Sequence, residues 1–182
     1  MDKYTDDELI DLLFDKSKSE MAFNVLIQKY KKPIYWHIRR MVICHEDADD
    51  LTQETFVKVW RYLENFKRES KLFTWIYRIA TNESISFLNK KKKFFIFSFH
   101  DVEEHLVNTL EDDNFFKGDA IELKLQKAIL SLPQKQRLVF NMKYYENLKY
   151  EEMSEILKTS TGALKASYHI AVKKIEKYFD KN

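Results

Sequence analysis

Apolar side chains recur along this chain at the three- and four-residue steps of a helix. Phe23, Leu26, Ile27, Tyr30, Ile34, Ile38 and Val42 predict one long helix or two over 20–43, with Pro33 at a kink or a helix start. Upstream, residues 5–15 form a short helix, with Thr5 as its cap before DDEL. Residues 47–65 predict a third helix whose apolar stripe is Thr52, Phe56, Val59, Trp60 and Leu63. FKRESK at 66–71 is a polar loop. Residues 72–92 are helical again, with Phe73, Ile76, Ala80, Phe87 and Leu88 facing in.

The period is lost over 94–118, where the chain turns acidic, and a stretch this long reads as a linker between two domains. SLPQKQRLVFNMKYY then begins a helix, with Ser131 as candidate cap and Pro133 in the first turn, where a missing N–H does no harm. YEEMSEIL, KTST and TGALKASYHIAVKKIEKYF follow as helix, turn and helix. No strand and no repeat emerges. The expected fold is all-α: an acidic N-terminal helix (1–20), a helical domain (21–93), an acidic linker (94–118) and a helix–turn–helix domain (119–182).

Composition removes whole classes of function. Gly118 and Gly162 are the glycines of the 182 residues, too far apart for any Gly-rich phosphate loop. Cys44 is alone, so an internal disulfide or a Cys-based zinc site is not available. The acidic, amphipathic start MDKYTDDELIDLL is unlike a secretory signal, and the apolar run FFIFSF at 94–99 is too short to span a bilayer. The expectation is a soluble cytoplasmic protein without a cofactor.

Net charge is only +2, but the charges are striped. Lys29, Lys31, Lys32, Arg39 and Arg40 form a basic segment, followed by the acids Glu46, Asp47, Asp49, Asp50 and Glu54. A KKKK run at 90–93 precedes the acidic 101–119, and the last helix carries Lys165, Lys173, Lys174 and Lys177. In that helix Leu164, Tyr168, Ala171, Ile175 and Tyr178 form the buried stripe, capped by Ser160. Lys165, His169 and Lys173 recur every fourth residue on another face. Such a helix suits the DNA major groove, although a helical hairpin with solvated lysines has the same pattern.

The acidic opening of the 47–65 helix admits several uses. A di-iron site needs Glu-x-x-His pairs, which the chain lacks. Paired catalytic carboxylates need a pocket, and these acids face outward. Capping suits Asp47 and Asp49 near the helix start. It leaves Asp50, Gln53 and Glu54 unexplained, and an acidic outward face reads better as a dock for a basic partner. The following helix places Trp75, Arg78 and Asn82 in line, beside Thr74 and Thr81, and ends in lysines. Stacking rings, amides and cations suit single-stranded nucleic acid, whereas partly core aromatics and a solvated charge run are the plainer account.

DADDLTQETFVKVW, FTWIYRIATNESISFLNKKKK, LPQKQRLVFNMKYYENLKYEEMSEIL and GALKASYHIAVKKI, in this order, resemble a bacterial RNA polymerase sigma factor of the extracytoplasmic-function (ECF) group of the sigma-70 family. The resemblance covers about 21–92 and 122–178. It implies a non-enzymatic initiation factor that binds core RNA polymerase and reads −10 and −35 promoter elements. Asp47, Asp50, Gln53 and Glu54 would dock on polymerase. Lys67, Arg68, Ser70, Trp75, Arg78 and Asn82 would open the −10 region and capture an unstacked base. Lys165, Ala166, Ser167, His169 and Lys173 would read the −35 duplex. The acidic linker would thread a basic channel of polymerase.

The implied partners are core RNA polymerase, promoter DNA and an anti-sigma factor, with no small-molecule substrate and no membrane insertion. The competing reading is a stand-alone helix–turn–helix regulator. The chain also departs from the family pattern. Lys158 and Asn147 stand where glycine is frequent, Lys149 where a capping serine is usual, and Ser167, Ile170 and Val172 where arginines are common. Weak binding of isolated duplex DNA is the expected consequence.

Overall fold

A computed structural model describes residues 4–94, 106–107, 109–110 and 120–181, and none of its described residues is in a strand. The N-terminal helices are α1 (Asp6–Phe14), α2 (Ser19–Val42), α3 (His45–Tyr62) and α4 (Leu72–Phe94), with a 3₁₀ turn at Leu63–Asn65. The C-terminal helices are α5 (Ala120–Leu130), α6 (Gln134–Tyr144), α7 (Tyr150–Leu157) and α8 (Thr161–Lys181).

Local chemistry explains most of these boundaries. Thr5 caps α1 in a reciprocal box: its Oγ1 accepts from the Glu8 N–H, and the Glu8 carboxylate accepts from the Thr5 N–H at 2.8 Å. That pairing holds the Glu8 carboxyl below its ordinary range. The 20–43 stretch is one helix, with Pro33 inside it. Leu26, Tyr30, Ile34 and Ile38 make its buried face, and the Tyr30 hydroxyl donates to Asp6 of α1 at 2.6 Å. Thr52, Thr55, Thr81 and Ser84 are buried within α3 and α4. Each hydroxyl donates to the carbonyl four residues back, which satisfies these four donors, whereas the buried Thr74 hydroxyl of α4 has no partner among the described residues.

Three expectations need correction. Trp60 is not in the buried stripe of α3; it is 43% exposed and leans on Phe23 of α2. Ser131 does not cap the helix after it, because its hydroxyl turns back to the Ala128 carbonyl and Pro133 holds the cap position. Residues 120–130 form α5, a helix absent from the sequence reading. Its apolar face is short and mixed with Glu122, Lys124 and Lys127, so the period is weak.

The turn between α7 and α8 is left-handed at Lys158 (φ 52°, ψ 42°), and Asn147 before α7 is also left-handed (φ 49°). Both are positions where the resemblance makes glycine frequent. At Lys149 the side chain cannot accept a bond, so the cap relies on the Glu152 carboxylate taking the Lys149 N–H at 3.0 Å. Ser160 caps α8 as expected, accepting from Ala163.

The two helix sets are packed directly together. α7 lies on α4 and α6 on α2, and Leu138, Val139, Met142, Met153 and Ile156 share one apolar core with α1–α4. A smaller cluster joins Ile43, at the end of α2, to Leu106, Leu110 and Leu130. The rest of the predicted linker, including its acidic residues and FFIFSF beyond Phe94, lies outside the described residues. Among the described residues no helix is long and apolar enough to cross a membrane.

Candidate nucleic-acid interface

α3 is held to α4 by its acidic and basic side chains, and that contact divides its carboxylates into two groups. Asp47 is half-buried and takes the Lys91 ammonium at 2.6 Å. Lys58 reaches Glu83 of α4 as well as Glu54 on its own helix, and the Glu83 contact raises the lysine's pKa. Glu46 accepts from the Cys44 thiol at 2.9 Å, which lowers its own pKa. Asp49 pairs with His45 at 3.4 Å. Asp50, Gln53 and Glu54 remain exposed on the outer face. Of the four predicted docking residues, Asp47 therefore closes the α3–α4 seam instead of standing on the outer face.

Beside Gln53 runs an apolar groove of about 630 Å³ between α2 and α3, walled by Phe23, Ile27, Phe56, Val57 and Trp60. Sequence reasoning missed it by assigning Trp60 to the core. The signal available was Val57, an apolar residue off the predicted stripe, which is 56% exposed. The apolar walls, with Gln53 at the edge and Asp50 and Glu54 exposed on the same helix, fit a partner helix carrying apolar knobs and basic residues.

The loop 66–71 and the start of α4 build a second surface. Lys67, Ser70, Trp75 and Arg78 line one cleft of about 390 Å³. Trp75 was expected to be partly exposed, but it is 7% exposed and packs on Phe66 with ring centres 5.0 Å apart. Arg68 does not join the cleft. Its backbone is left-handed (φ 58°), and its guanidinium lies 2.7 Å from Asp11 and over the Phe14 ring of α1. Asn82 is exposed further along α4. Lys91 of the lysine run is committed to Asp47.

The third surface is α8. Lys165, Ala166, His169 and Lys173 are exposed and Ser167 is half-buried, over an inner stripe of Leu164, Ala171 and Ile175. Lys165 also rests over the Tyr150 ring at 5.6 Å. No described carboxylate pairs with Lys165, His169 or Lys173, so the two ammonium groups are available to an anionic partner. Among the described residues no cluster of three His, Cys, Asp or Glu could hold a metal.

Comparison with known proteins identifies the family of the two helix sets. The Sigma-70 region 2 family matches residues 26–94 and the Sigma-70 region 4 family matches 122–175. The ECF RNA polymerase sigma factor SigW of Bacillus subtilis is 32% identical over 162 residues, covering 85% of this chain and 87% of its own. The RNA polymerase sigma-H factor of Pseudomonas aeruginosa is 29% identical over 172 residues, covering 86% and 85%. In fold, the chain resembles the sigma factor RpoE solved with the anti-sigma factor NepR from Bartonella quintana. The TM-score is 0.68 at 18% identity, over 87% of this chain and 96% of that one. CnrH, solved with the cytosolic domain of CnrY, gives 0.70 at 19% identity, over 97% and 98%.

Proposed function

The chain belongs to the sigma-70 family, in its extracytoplasmic-function group, and from that membership we propose how its surfaces divide the work of starting transcription. It binds core RNA polymerase and directs it to specific promoters, as a factor without catalysis of its own. An anti-sigma factor is among its partners, as NepR is for RpoE. Its place of action is the bacterial cytoplasm, where polymerase works.

The polymerase dock is the outer face of α3. The observation that supports it is the exposed set Asp50, Gln53 and Glu54 standing beside an apolar groove, with Asp47 withdrawn into the α3–α4 seam. A basic helix of polymerase would meet both features at once. Residues 21–93 form the docking and −10 unit. There Lys67, Ser70, Trp75 and Arg78 take a base released by melting, with Asn82 further along the strand and Arg68 acting after release from Asp11. Melting exposes base edges that a duplex hides, and cations and a hydroxyl around the exposed edge of a buried ring hold an unpaired base. Residues 119–182 form the −35 unit, in which α8 enters the major groove with Lys165, Ala166, Ser167, His169 and Lys173 toward DNA. Residues 94–118 connect the two.

A stand-alone helix–turn–helix regulator would need neither the acidic dock nor the cleft, and the family match does not favour it. The deciding experiment is size-exclusion co-elution with core RNA polymerase. Wild type co-elutes and the Gln53→Ala, Glu54→Ala double variant does not. Wild type eluting alone would refute the reading.

A further inference from the structure

The acidic N-terminal helix α1 has no part in the work divided above, yet it holds one of the residues given to −10 DNA. α1 is firmly seated. Leu9, Ile10 and Leu13 are buried in the core it shares with α2. Near its start Asp6 takes the Tyr30 hydroxyl at 2.6 Å and the Lys29 ammonium at 3.0 Å. Further along, on the exposed side, Asp11 reaches the loop 66–71 and sets its Oδ1 2.7 Å from Nη2 of Arg68. The same guanidinium lies over the Phe14 ring, 5.4 Å from its centre. Asp11 and Phe14 are three residues apart and so neighbours on one helix face, where they make a seat for a single cation.

Arg68 sits there against its backbone preference. Its φ is 58°, a left-handed conformation that a β-carbon disfavours. A residue keeps such a conformation where its surroundings impose it. Lys67 and Ser70 on either side of it line the cleft with Trp75 and Arg78, whereas Arg68 turns the other way, to α1.

We propose that Asp11 is a positioning residue that sets promoter specificity, by competing with the phosphates of the melted strand for Arg68. The proposal rests on the −10 reading given above. Carboxylate and phosphate are both oxyanions that suit the guanidinium fork. An arginine seated on Phe14 faces away from the cleft, so it serves the carboxylate or the strand in turn.

The pair is suited to exchange. The side chains of Arg68 and Asp11 are 49% and 69% exposed, so water screens their attraction. Release also frees Arg68 from its left-handed backbone. A strand well seated in the cleft brings a phosphate within reach and wins the arginine. A strand that fits badly leaves it on α1 and binds with one contact fewer. Asp11 thus widens the gap between matched and mismatched promoters, which is discrimination by a competing contact.

The test uses the full chain assembled with core RNA polymerase. Fluorescence anisotropy measures a panel of short labelled single strands of differing sequence, over a range of salt. The variants are Asp11→Ala, Arg68→Ala and the two combined. Asp11→Ala should bind the weakest strands roughly two- to fivefold tighter, the range of an exposed ion pair. Their salt slope should steepen by about 0.7, one phosphate of a single strand. The spread of affinities across the panel should narrow, and every one of these gains should vanish when Arg68→Ala is added. Asp7→Ala, which removes an exposed acid one turn earlier on α1, should change none of them. Gains that persist without Arg68, or that Asp7→Ala reproduces, would overturn the proposal as a general charge effect. Unchanged or weaker binding by Asp11→Ala would overturn it outright, and uniform tightening with the spread unchanged would overturn the specificity role. Arg78→Ala reads the cleft separately. If it leaves strand binding untouched while Asp11→Ala still acts through Arg68, the −10 reading of the cleft fails and the competition for Arg68 stands.

Discussion

Lys91 reaches back from α4 to set its ammonium 2.6 Å from the Asp47 carboxylate of α3. Both side chains are about three-quarters covered. With Lys58 and Glu83 in the same seam, this pair ties the docking helix to the helix behind it. Asp47→Asn should therefore lower stability by about 1 kcal/mol, a shift of a few degrees in melting temperature, and leave co-elution with polymerase intact. The Gln53→Ala, Glu54→Ala double variant should show the reverse. Calorimetry and size-exclusion chromatography on the same samples separate the two roles. Equal loss of co-elution in both variants would return Asp47 to the dock.

Lys158 ends α7 in a left-handed conformation that a side chain disfavours. Lys158→Gly should stabilise the chain by about 1 kcal/mol. Asn147→Gly should gain less, because asparagine tolerates φ 49° better than lysine tolerates φ 52°. Urea denaturation followed by circular dichroism gives both values. A destabilised Lys158→Gly would mean that the lysine makes a contact outweighing its backbone strain.

The all-α class, the helix–turn–helix and the caps at Thr5 and Ser160 were legible because each rests on local chemistry: apolar spacing, a hydroxyl before an acidic turn, a short polar break. Lys158 and Asn147 were legible as left-handed sites through the glycines usual there. What escaped depends on contacts between distant residues. Nothing local shows that Lys91 will claim Asp47, or that Asp11 will draw Arg68 out of the −10 cluster. Trp60 and Trp75 exchanged expectations for one reason. Helical spacing locates a face, but its covering depends on which helix packs there. The contact of His37 with Glu146 brings together residues 109 positions apart and left no trace in any local pattern.

Glu152 has two loyalties that pH can separate. Burial raises its pKa, but the Lys71 ammonium and the Lys149 N–H outweigh that, and the net effect holds the carboxyl below 4.5. A carboxyl with a depressed folded pKa adds stability above its unfolded value and loses it as pH falls through the folded one. The melting difference between wild type and Glu152→Gln should therefore be constant over about pH 6–8 and shrink below pH 4.5. At neutral pH it should amount to about 1 kcal/mol at most, since Lys71 is exposed and screened. A difference that grows on acidification would reverse the assigned sign.

The face of α8 sets how strongly salt governs DNA binding. Each phosphate neutralised by a lysine adds about 0.9 to the slope of log K against log salt. Lys165→Ala and Lys173→Ala, measured as complexes with core polymerase on duplex DNA, should each flatten that slope by about one. Lys174→Ala should leave it unchanged, because Lys174 turns to Gln136 of α6 at 3.0 Å. Ile170, 45% exposed on the same helix, stands where the family commonly carries arginine. Ile170→Arg should steepen the slope by about one and tighten duplex binding. If it tightens binding without changing the slope, the new arginine reads a base edge and not a phosphate. If neither quantity moves, Ile170 lies off the DNA face, and the groove-facing set shifts toward Lys165 and His169.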